Sequence, residues 1–503
     1  MVAVLNEKSA IVVGAGFGGI ASALRLKAMG FKVTLLDRLD QLGGRARVFE
    51  KDGFKHDAGP TVLTAPFLFE ELFQLFNKEL HDYVDLVPLD IWYDFYFECN
   101  KTFRYQQNPE KFREEIARFN PDDVAGYEKL LKVSEEIFNV GFTQLADEPF
   151  VKFKTMIKQI PSLVKLQSYK TVYQLIATYI KHPLLRQAFS IHSLLVGGNP
   201  FQTTSIYTLI HFLERKWGIH FCMGGTGRLV EGFKKLMIEE GIVIRLSCEV
   251  RKVLVESKKV KGVLDQNNEM IPCDLLVFNG DPSFAYEHLL PKLPRQVFRR
   301  PTKTQHYSMG LFVLFFGATK QWPEMAHHTI WMGKRYQGLL NDIFTKKQLA
   351  EDFSLYIHRP TATDPSFAPK GCDSFYVLCP VPNLLSGTDW KKEAPKLKER
   401  IVAALDQSIL PDLKNHIKAD FWMTPEDFKS DYLSMHGAGF SIAPIFSQSA
   451  YFRYHNQDPT VSNLFFTGAG THPGAGLPGV LSSAKVTEKL IKHTFHVSEE
   501  LYA

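Results

Sequence analysis

Three glycines near the start of the sequence have the spacing of a pyrophosphate-binding turn. Gly14, Gly16 and Gly19 follow a short strand-like run in the pattern G-x-G-x-x-G and open an alanine- and leucine-rich helical segment. The first glycine permits a tight turn, the second lets backbone approach phosphate, and the third lets helix and strand pack closely. The helix N-terminus offers free N–H groups to the anion. We therefore predict a dinucleotide site here.

An acidic residue and a second glycine pair follow this turn. Asp37 ends the next strand-like run, about 20 residues on, where a carboxylate accepts hydrogen bonds from an adenosine ribose. Gly43, Gly44 and Arg45 then offer a second close backbone approach with a guanidinium beside it. A nicotinamide dinucleotide has no general need for that approach, whereas the more extended flavin adenine dinucleotide (FAD) benefits from it. The pattern favours a flavin.

A second arrangement of strand, glycine loop and helix lies near the other end of the chain. Residues 468–479 read GAGTHPGAGLPG, and they separate a strand-like run from a last helical segment. Pro478 suits the first helical turn, because its missing N–H costs nothing there. A purely structural turn hardly needs so many glycines, so we predict that this loop faces the flavin ring. The turn at 56–61 is equally compatible with cofactor contact and with a simple loop.

Segments without the βαβ rhythm interrupt the nucleotide-binding part of the chain. We predict an α/β fold: a Rossmann-like FAD-binding domain, discontinuous in sequence, with an inserted α+β substrate domain and a helical, membrane-facing region. The FAD-binding domain is assigned to residues 1–81, 215–284 and 457–503. The substrate domain is assigned to 82–148 and 285–456, and the helical region to 149–214.

The helical region combines positive charge with apolar residues. Between Glu148 and Glu214 there is no Asp or Glu, while basic residues alternate with aliphatic and aromatic ones. Helices of this kind bind the surface of anionic membranes, and we predict peripheral docking here. A helical layer packed on the core, with its lysines in solvent, explains the pattern equally well. The basic residues are Lys152, Lys154, Lys158, Lys165, Lys170, Lys181 and Arg186.

Composition excludes several other classes of protein. The net charge of +5 comes without basic tails or repeats, so no nucleic-acid partner is expected. The six cysteines stand singly, as in a reduced cytoplasmic protein, and no run of about 18 apolar residues could cross a membrane. His327 and His328 are adjacent, and neighbours on a strand point to opposite faces, so we expect no metal.

Nine motifs are spread along nearly the whole chain. They are GAGFGG at 14–19, GGRA at 43–46, DAGPT at 57–61, HSLLVGGNPF at 192–201, TSIYTLIH at 204–211, GGTGRLV at 224–230, AHHTI at 326–330, EDFSLY at 351–356 and GAGTHPGAGLPGVLSSAK at 468–485. The first two occur in many flavoproteins, whereas HSLLVGGNPF and the C-terminal block are more specific. Together the motifs resemble those of the bacterial-type phytoene desaturases, which are FAD-dependent carotenoid desaturases among the amine-oxidase-like flavoproteins.

The resemblance implies bound FAD and desaturation of a long acyclic carotenoid, phytoene, to lycopene or neurosporene. It also implies peripheral attachment to the inner face of the cell membrane and reoxidation of the flavin by oxygen or a quinone. The residues that it places around FAD are Gly14, Gly16, Phe17, Gly18, Gly19, Asp37, Arg38, Gly43, Gly44, Arg45, Gly59, Pro60, Thr61, Val250, Gly468, Ala469, Gly479, Val480 and Leu481.

A hydrocarbon substrate offers polar groups nothing to hold, so we expect a long apolar tunnel beside the flavin. We predict hydride transfer from an allylic carbon to flavin N5, with proton loss from the neighbouring carbon. Glu214, Glu351, Asp352 and several histidines are candidate proton acceptors, but structural roles are more common for such residues, and no catalytic residue is assigned. The alternatives are a sister carotenoid enzyme (diapophytoene or hydroxycarotenoid desaturase, or carotene isomerase), a flavin amine oxidase and a non-catalytic carotenoid-binding protein.

Overall fold

The protein combines strands and helices, which alternate only towards the two ends of the chain. The computed structural model describes residues 8–151, 153–291 and 304–497, so Lys152 and the parts of the predicted domains at 1–7, 292–303 and 498–503 lie outside the described residues. The strands are β1 (Ser9–Val13), β2 (Lys32–Leu36), β3 (Val48–Lys51), β4 (Phe54–Asp57), β5 (Leu86–Pro88), β6 (Ile91–Phe97), β7 (Thr102–Gln106), β8 (His220–Cys222), β9 (Val243–Arg245), β10 (Lys252–Glu256), β11 (Lys259–Leu264), β12 (Met270–Pro272), β13 (Leu275–Phe278), β14 (Gly310–Ala318), β15 (His328–Met332), β16 (Leu355–His358), β17 (Asp373–Val381), β18 (Ile417–Met423) and β19 (Leu464–Phe466). The helices are α1 (Phe17–Ala28), α2 (Phe67–Gln74), α3 (Pro109–Phe119), α4 (Asp122–Phe138), α5 (Phe153–Lys165), α6 (Val172–Tyr179), α7 (Pro183–Ser190), α8 (Leu209–Trp217), α9 (Gly225–Glu239), α10 (Pro282–Phe284), α11 (Tyr336–Asn341), α12 (Trp390–Gln407), α13 (Pro425–Tyr432) and α14 (Leu477–Phe495).

A parallel sheet of five strands, in the order β19-β13-β1-β2-β9, forms the nucleotide-binding part. Every residue of β13 is buried, as expected for a strand covered on both faces. Helix α1 packs against α14, and a 2.6 Å ion pair between Arg25 and Glu488 joins them. The strand order reverses between β1 and β13, and ligands bind at such a reversal, beyond the carboxyl ends of the strands.

A second sheet has seven strands in the order β18-β14-β17-β16-β15-β6-β7. Its pairings are antiparallel except that β15 runs parallel to β6. Helix α12 buries Trp390, Leu397 and Ile401, spaced for one helical face, in a core shared with this sheet. The strands of the two large sheets lie within the segments assigned above to the FAD-binding and substrate domains, and we keep that division as a proposal. Among the described residues, no helix is long and apolar enough to cross a membrane.

Candidate active site

A cavity of about 600 Å³ begins at the glycine turns and continues along one face of the seven-stranded sheet. Alternate residues of the sheet, such as Ile330 and Met332 on β15, line it because successive side chains of a strand point to opposite faces. On the other side it reaches Leu209 and Leu213 of helix α8 and Met156 of helix α5. The lining away from the glycine turns is mainly aliphatic and aromatic.

Seventeen of the nineteen residues predicted to contact the cofactor line this cavity, and their contact with a cofactor stays a prediction. Gly19 and Leu481 do not line it, because Gly19 packs against the turn and Leu481 lies in the core. The seventeen are Gly14, Gly16, Phe17, Gly18, Asp37, Arg38, Gly43, Gly44, Arg45, Gly59, Pro60, Thr61, Val250, Gly468, Ala469, Gly479 and Val480.

The first glycine turn has the conformation that the pattern predicts. Gly14 has a φ of 97° and donates its N–H to the Leu36 carbonyl at 2.7 Å, which closes the turn after β1. A Cβ on Gly19 would lie 1.9 Å from the Gly14 carbonyl oxygen, so only glycine allows this close packing of α1 on the turn. Helix α1 begins after Gly16 without a side-chain cap, which leaves its first N–H groups available to an anion.

Asp37 lies at the carboxyl end of β2, at the edge of the cavity. Its Oδ2 accepts the Ala15 N–H at 2.6 Å, and its Oδ1 accepts the Leu39 N–H at 2.8 Å. Burial raises the pKa of Asp37, while these two N–H groups oppose the rise. Each carboxylate oxygen retains a lone pair, so the side chain fits the predicted ribose contact.

Asn279, which the sequence reasoning did not assign to the site, links the first and last glycine loops. Its Nδ2 donates to the Gly14 carbonyl at 3.0 Å, and its Oδ1 would lie 2.5 Å from a Cβ on Gly18 and 2.8 Å from one on Gly468. Its position could have indicated this role, because Asn279 directly follows β13 and ligands of a parallel sheet bind at the carboxyl ends of the strands. The close contacts bring both loops to one edge, which fits a single extended dinucleotide.

Arg453 holds the C-terminal glycine loop and was also missed. Its buried guanidinium donates to the carbonyls of Ala469 at 2.5 Å and Thr471 at 2.9 Å, and to the Gln448 carbonyl at 3.3 Å. Burial lowers the pKa of Arg453. No sequence motif marks this residue, because it reaches the loop only through the tertiary structure.

His472 lies in the same loop, and its burial should make the stability of the protein depend on pH. Burial lowers its pKa to about 4, although its hydrogen bond to the Leu145 carbonyl opposes the shift. The pKa of an unperturbed histidine is about 6.5, so the buried ring stabilises the fold fully above that pH, where it is neutral in both the folded and the unfolded protein. This contribution to the free energy of unfolding, about 3 kcal/mol, is lost as the pH falls towards 4.

We expect the difference in melting temperature between the wild type and His472→Gln to narrow as pH falls from 6.5 to about 4. Differential scanning calorimetry of both proteins across this range measures it. Other titrating groups are common to the two proteins and cancel in the difference. A difference that stays constant would mean that His472 is not held neutral by the fold.

Of the three acidic residues considered as proton acceptors, Glu214 lines the cavity and the other two do not. The Glu351 side chain is 99% exposed and pairs with Arg400, whereas Asp352 bonds Arg335 at the surface. Glu214 lies on α8, is 1% exposed, and has the cavity on one side and the buried Tyr93 and His192 side chains on the other. Of these three residues, the structure therefore brings only Glu214 to the cavity.

Two groups hold the Glu214 carboxylate in place. The Tyr93 hydroxyl donates to Oε1 at 3.0 Å, and His192 Nε2 lies 2.9 Å from Oε2. Although burial lowers the pKa of His192, the neighbouring carboxylate and a bond to the Phe189 carbonyl raise it above its ordinary value. His192 is thus a hydrogen-bonding partner that offsets part of the cost of burying the Glu214 side chain.

The structure contradicts one geometric step of the sequence argument. His327 and His328 were expected on opposite faces of a strand, but β15 begins at His328, so His327 precedes the strand. Their rings lie 4.6 Å apart between centroids, and His358 of β16 joins them within 4.8 Å and 5.4 Å. The reasoning that separated the two side chains is therefore wrong.

Comparisons with known proteins agree with this geometry. The family described as flavin containing amine oxidoreductase matches residues 17–487. A lycopene-forming phytoene desaturase from Pantoea ananas is 46% identical over 486 residues, which cover 96% of this chain and 99% of that protein. A neurosporene-forming phytoene desaturase from Cereibacter sphaeroides is 42% identical over 490 residues, 96% of this chain and 94% of that protein.

Solved structures show the same fold at low sequence identity. An oxidoreductase from Methanosarcina mazei, 16% identical, superposes with a TM-score of 0.63 over 96% of this chain and 100% of its own. The expected α/β flavoprotein fold is confirmed, and so is the resemblance stated from the motifs. The chain belongs to the flavin-containing amine oxidoreductase family and, within it, to the bacterial-type phytoene desaturases.

Proposed function

We propose that this protein is an FAD-dependent desaturase that converts phytoene to lycopene or neurosporene. The observation that carries the proposal is the cavity, which joins the glycine loops of a dinucleotide site to a long apolar lining along the seven-stranded sheet. A hydrocarbon is held by shape and apolar contact, and the long apolar lining suits such a substrate. Full-length relatives that form lycopene or neurosporene support this substrate class.

The residues around the glycine loops fit FAD and divide its binding between them. The turn at Gly14 and Gly16 would hold the phosphates, Asp37 the ribose, and the loop from Gly468, fastened by Arg453, the ring. Bound there, FAD would supply the acceptor for a hydride from an allylic carbon, and oxygen or a quinone would take up the electrons. The apolar walls orient the polyene and exclude water.

We propose that Glu214 accepts the proton that leaves the substrate when the hydride is transferred. Loss of a hydride makes the C–H bond on the neighbouring carbon acidic, and a carboxylate can then accept that proton while the electron pair of the bond becomes the new double bond. Tyr93 and His192 hold the two carboxylate oxygens at the cavity wall.

Incubation of the protein with FAD and phytoene in liposomes tests the function. We expect visible absorption to develop as conjugation lengthens, and its wavelength distinguishes neurosporene from lycopene. Diapophytoene and hydroxycarotenoids, offered in parallel, should react more slowly, which separates this enzyme from a sister carotenoid enzyme. No coloured product from phytoene would contradict the proposal.

Helix α5 supports a further part of the proposal, peripheral docking on the inner face of the cell membrane. Phe153, Ile157, Ile160 and Val164 recur along one side of the helix and are each about half exposed, at 50%, 49%, 48% and 58%. Met156 of the same helix is buried and lines the cavity. Lys154, Lys158 and Lys165 are exposed along the same helix. The helix therefore lies between apolar surface and cavity, where a lipid-dissolved substrate would enter.

We expect Ile157→Ser/Ile160→Ser to weaken binding to anionic liposomes by roughly ten- to a hundredfold. Full burial of an aliphatic side chain contributes about 1.5–3 kcal/mol, and these two side chains, which are about half exposed, would gain about half of that each on docking. Flotation of the purified protein with vesicles at low salt measures the binding. The matched control is Ile238→Ser/Val243→Ser, which removes two aliphatic side chains, 59% and 50% exposed, away from this helix. Equal binding by both double variants would refute docking through α5.

A further inference from the structure

Three buried histidines meet where β15 begins and β16 ends. His328 and His358 are cross-strand partners in this antiparallel pair, and His327 immediately precedes β15. One ring nitrogen from each residue lies within 4.8 Å of one from each of the others. His328 and His358 are 0% exposed and His327 is 5% exposed, so the three-histidine cluster is shielded from bulk water.

Two of the three rings are hydrogen-bonded on one side to a neighbouring hydroxyl group, and the third lies near a carboxylate. His327 Nδ1 bonds Thr363 Oγ1 at 2.7 Å, and His328 Nδ1 accepts the Tyr356 hydroxyl or donates to it at 2.8 Å. His358 Nε2 lies 3.6 Å from the Asp57 Oδ2 atom.

The remaining nitrogens of the cluster have no hydrogen-bond partner. They are Nε2 of His327, Nε2 of His328 and Nδ1 of His358, and the 3.6 Å approach of His358 Nε2 to Asp57 is itself too long for a hydrogen bond. Buried polar atoms are almost always paired, so a group of unpaired nitrogens on three converging rings requires an occupant.

We propose that His327, His328 and His358 bind one divalent transition-metal ion, with the Asp57 carboxylate beside them. Imidazole nitrogen suits zinc, copper, iron and nickel ions. In metal sites the second nitrogen of each ligating ring bonds a carboxylate, carbonyl or hydroxyl, as Thr363 and Tyr356 bond these rings. An ion with metal–nitrogen distances of about 2.0–2.1 Å would draw the rings together from their present spacing.

A carboxylate beside the three-histidine cluster would offset part of the charge of a bound cation. Asp57 supplies a nearby negative charge, and its Oδ1 is fixed by the N–H and the hydroxyl of Thr226, both at 3.0 Å.

The position of the cluster indicates a structural ion. Asp57 ends β4 and leads directly into Gly59, Pro60 and Thr61 of the cavity lining. Tyr356 bonds both His328 and the Thr61 hydroxyl, the latter at 2.5 Å. An ion at the cluster would thus fasten the seven-stranded sheet to the loop at 58–61. This inference does not depend on the proposed substrate.

The test uses the full-length, FAD-loaded protein prepared without a histidine tag, stripped with a chelator, reloaded with Zn²⁺ and dialysed. Elemental analysis should find about one tightly held zinc per chain. His327→Gln and His358→Gln should retain about a tenth or less, because loss of a ligand weakens binding at least as much as the 10–100-fold loss seen for outer partners. The control His81→Gln changes a surface histidine, 79% exposed, and should retain the full amount.

X-ray absorption at the zinc edge of the wild type gives an answer even if the variants fail to fold. We expect about three imidazole nitrogens at about 2.0–2.1 Å, with the outer-shell scattering of histidine rings. Two results overturn the proposal. One is a wild type that holds no more zinc than folded His327→Gln, in which case water satisfies the nitrogens. The other is a spectrum without imidazole scattering, which would place the zinc elsewhere.

Discussion

Gly19→Ala is expected to yield folded protein that retains little or no flavin. The added Cβ would lie 1.9 Å from the Gly14 carbonyl oxygen, and both atoms are fixed by backbone. The turn after β1 must therefore open, which displaces the N–H groups that face the phosphates. Overpacking costs about 1–3 kcal/mol, or roughly 5- to 150-fold in affinity, and so short a contact belongs at the upper end.

The ratio of flavin to protein absorbance after gel filtration measures this effect, and a titration of the stripped protein with FAD gives the affinity. Gly338→Ala is the matched control, because the nearest atoms to its added Cβ, at 3.3 and 3.4 Å, belong to the flexible Arg335 side chain. We expect Gly338→Ala to keep its flavin. Normal flavin content in Gly19→Ala would show that the turn does not hold the phosphates.

Glu214→Gln is expected to lower the rate of desaturation by about 10²–10⁴-fold, the usual contribution of a general base. The amide keeps the size of the side chain and its place at the cavity wall, but it cannot accept the proton. The flavin should remain bound, because Glu214 bonds Tyr93 and His192 and no residue of the glycine loops. The rate of product formation in a single turnover with phytoene liposomes measures the change.

Glu351→Gln serves as the control, because this carboxylate is 99% exposed and lies away from the cavity. It should desaturate phytoene at the wild-type rate. The melting temperature and flavin content of Glu214→Gln separate loss of chemistry from loss of structure, since breaking a buried ion pair is itself destabilising. A folded, flavin-loaded Glu214→Gln that is only a fewfold slower would exclude Glu214 as the proton acceptor.

The parts of the site that depend on local backbone could be predicted from sequence. The spacing of glycines after a strand dictates the geometry of the turn, so the glycine loops that begin at Gly14 and Gly468 could be predicted from the sequence. Both loops line the cavity. The resemblance to phytoene desaturases added further residues to this prediction, and most of them line the cavity near the glycine loops. A glycine pattern is informative because few other residues can replace it in a turn.

The parts that depend on contacts distant in sequence could not be predicted. Asn279 and Arg453 act by reaching loops that are far from them along the chain, 265 residues in the case of Asn279 and Gly14. The cluster formed by His327 and His328 was missed because His327 lies just before β15, where the alternation of side chains along a strand no longer fixes its direction. Neither kind of information is present in periodicity or composition.

Anaerobic mixing of the FAD-loaded protein with phytoene liposomes tests the central claim most directly. Without an electron acceptor, the account predicts that oxidised flavin absorption disappears while about one new conjugated double bond forms per flavin. Putrescine, offered as an amine under the same conditions, should leave the flavin oxidised. Flavin that stays oxidised with phytoene but is bleached by the amine would contradict the assignment.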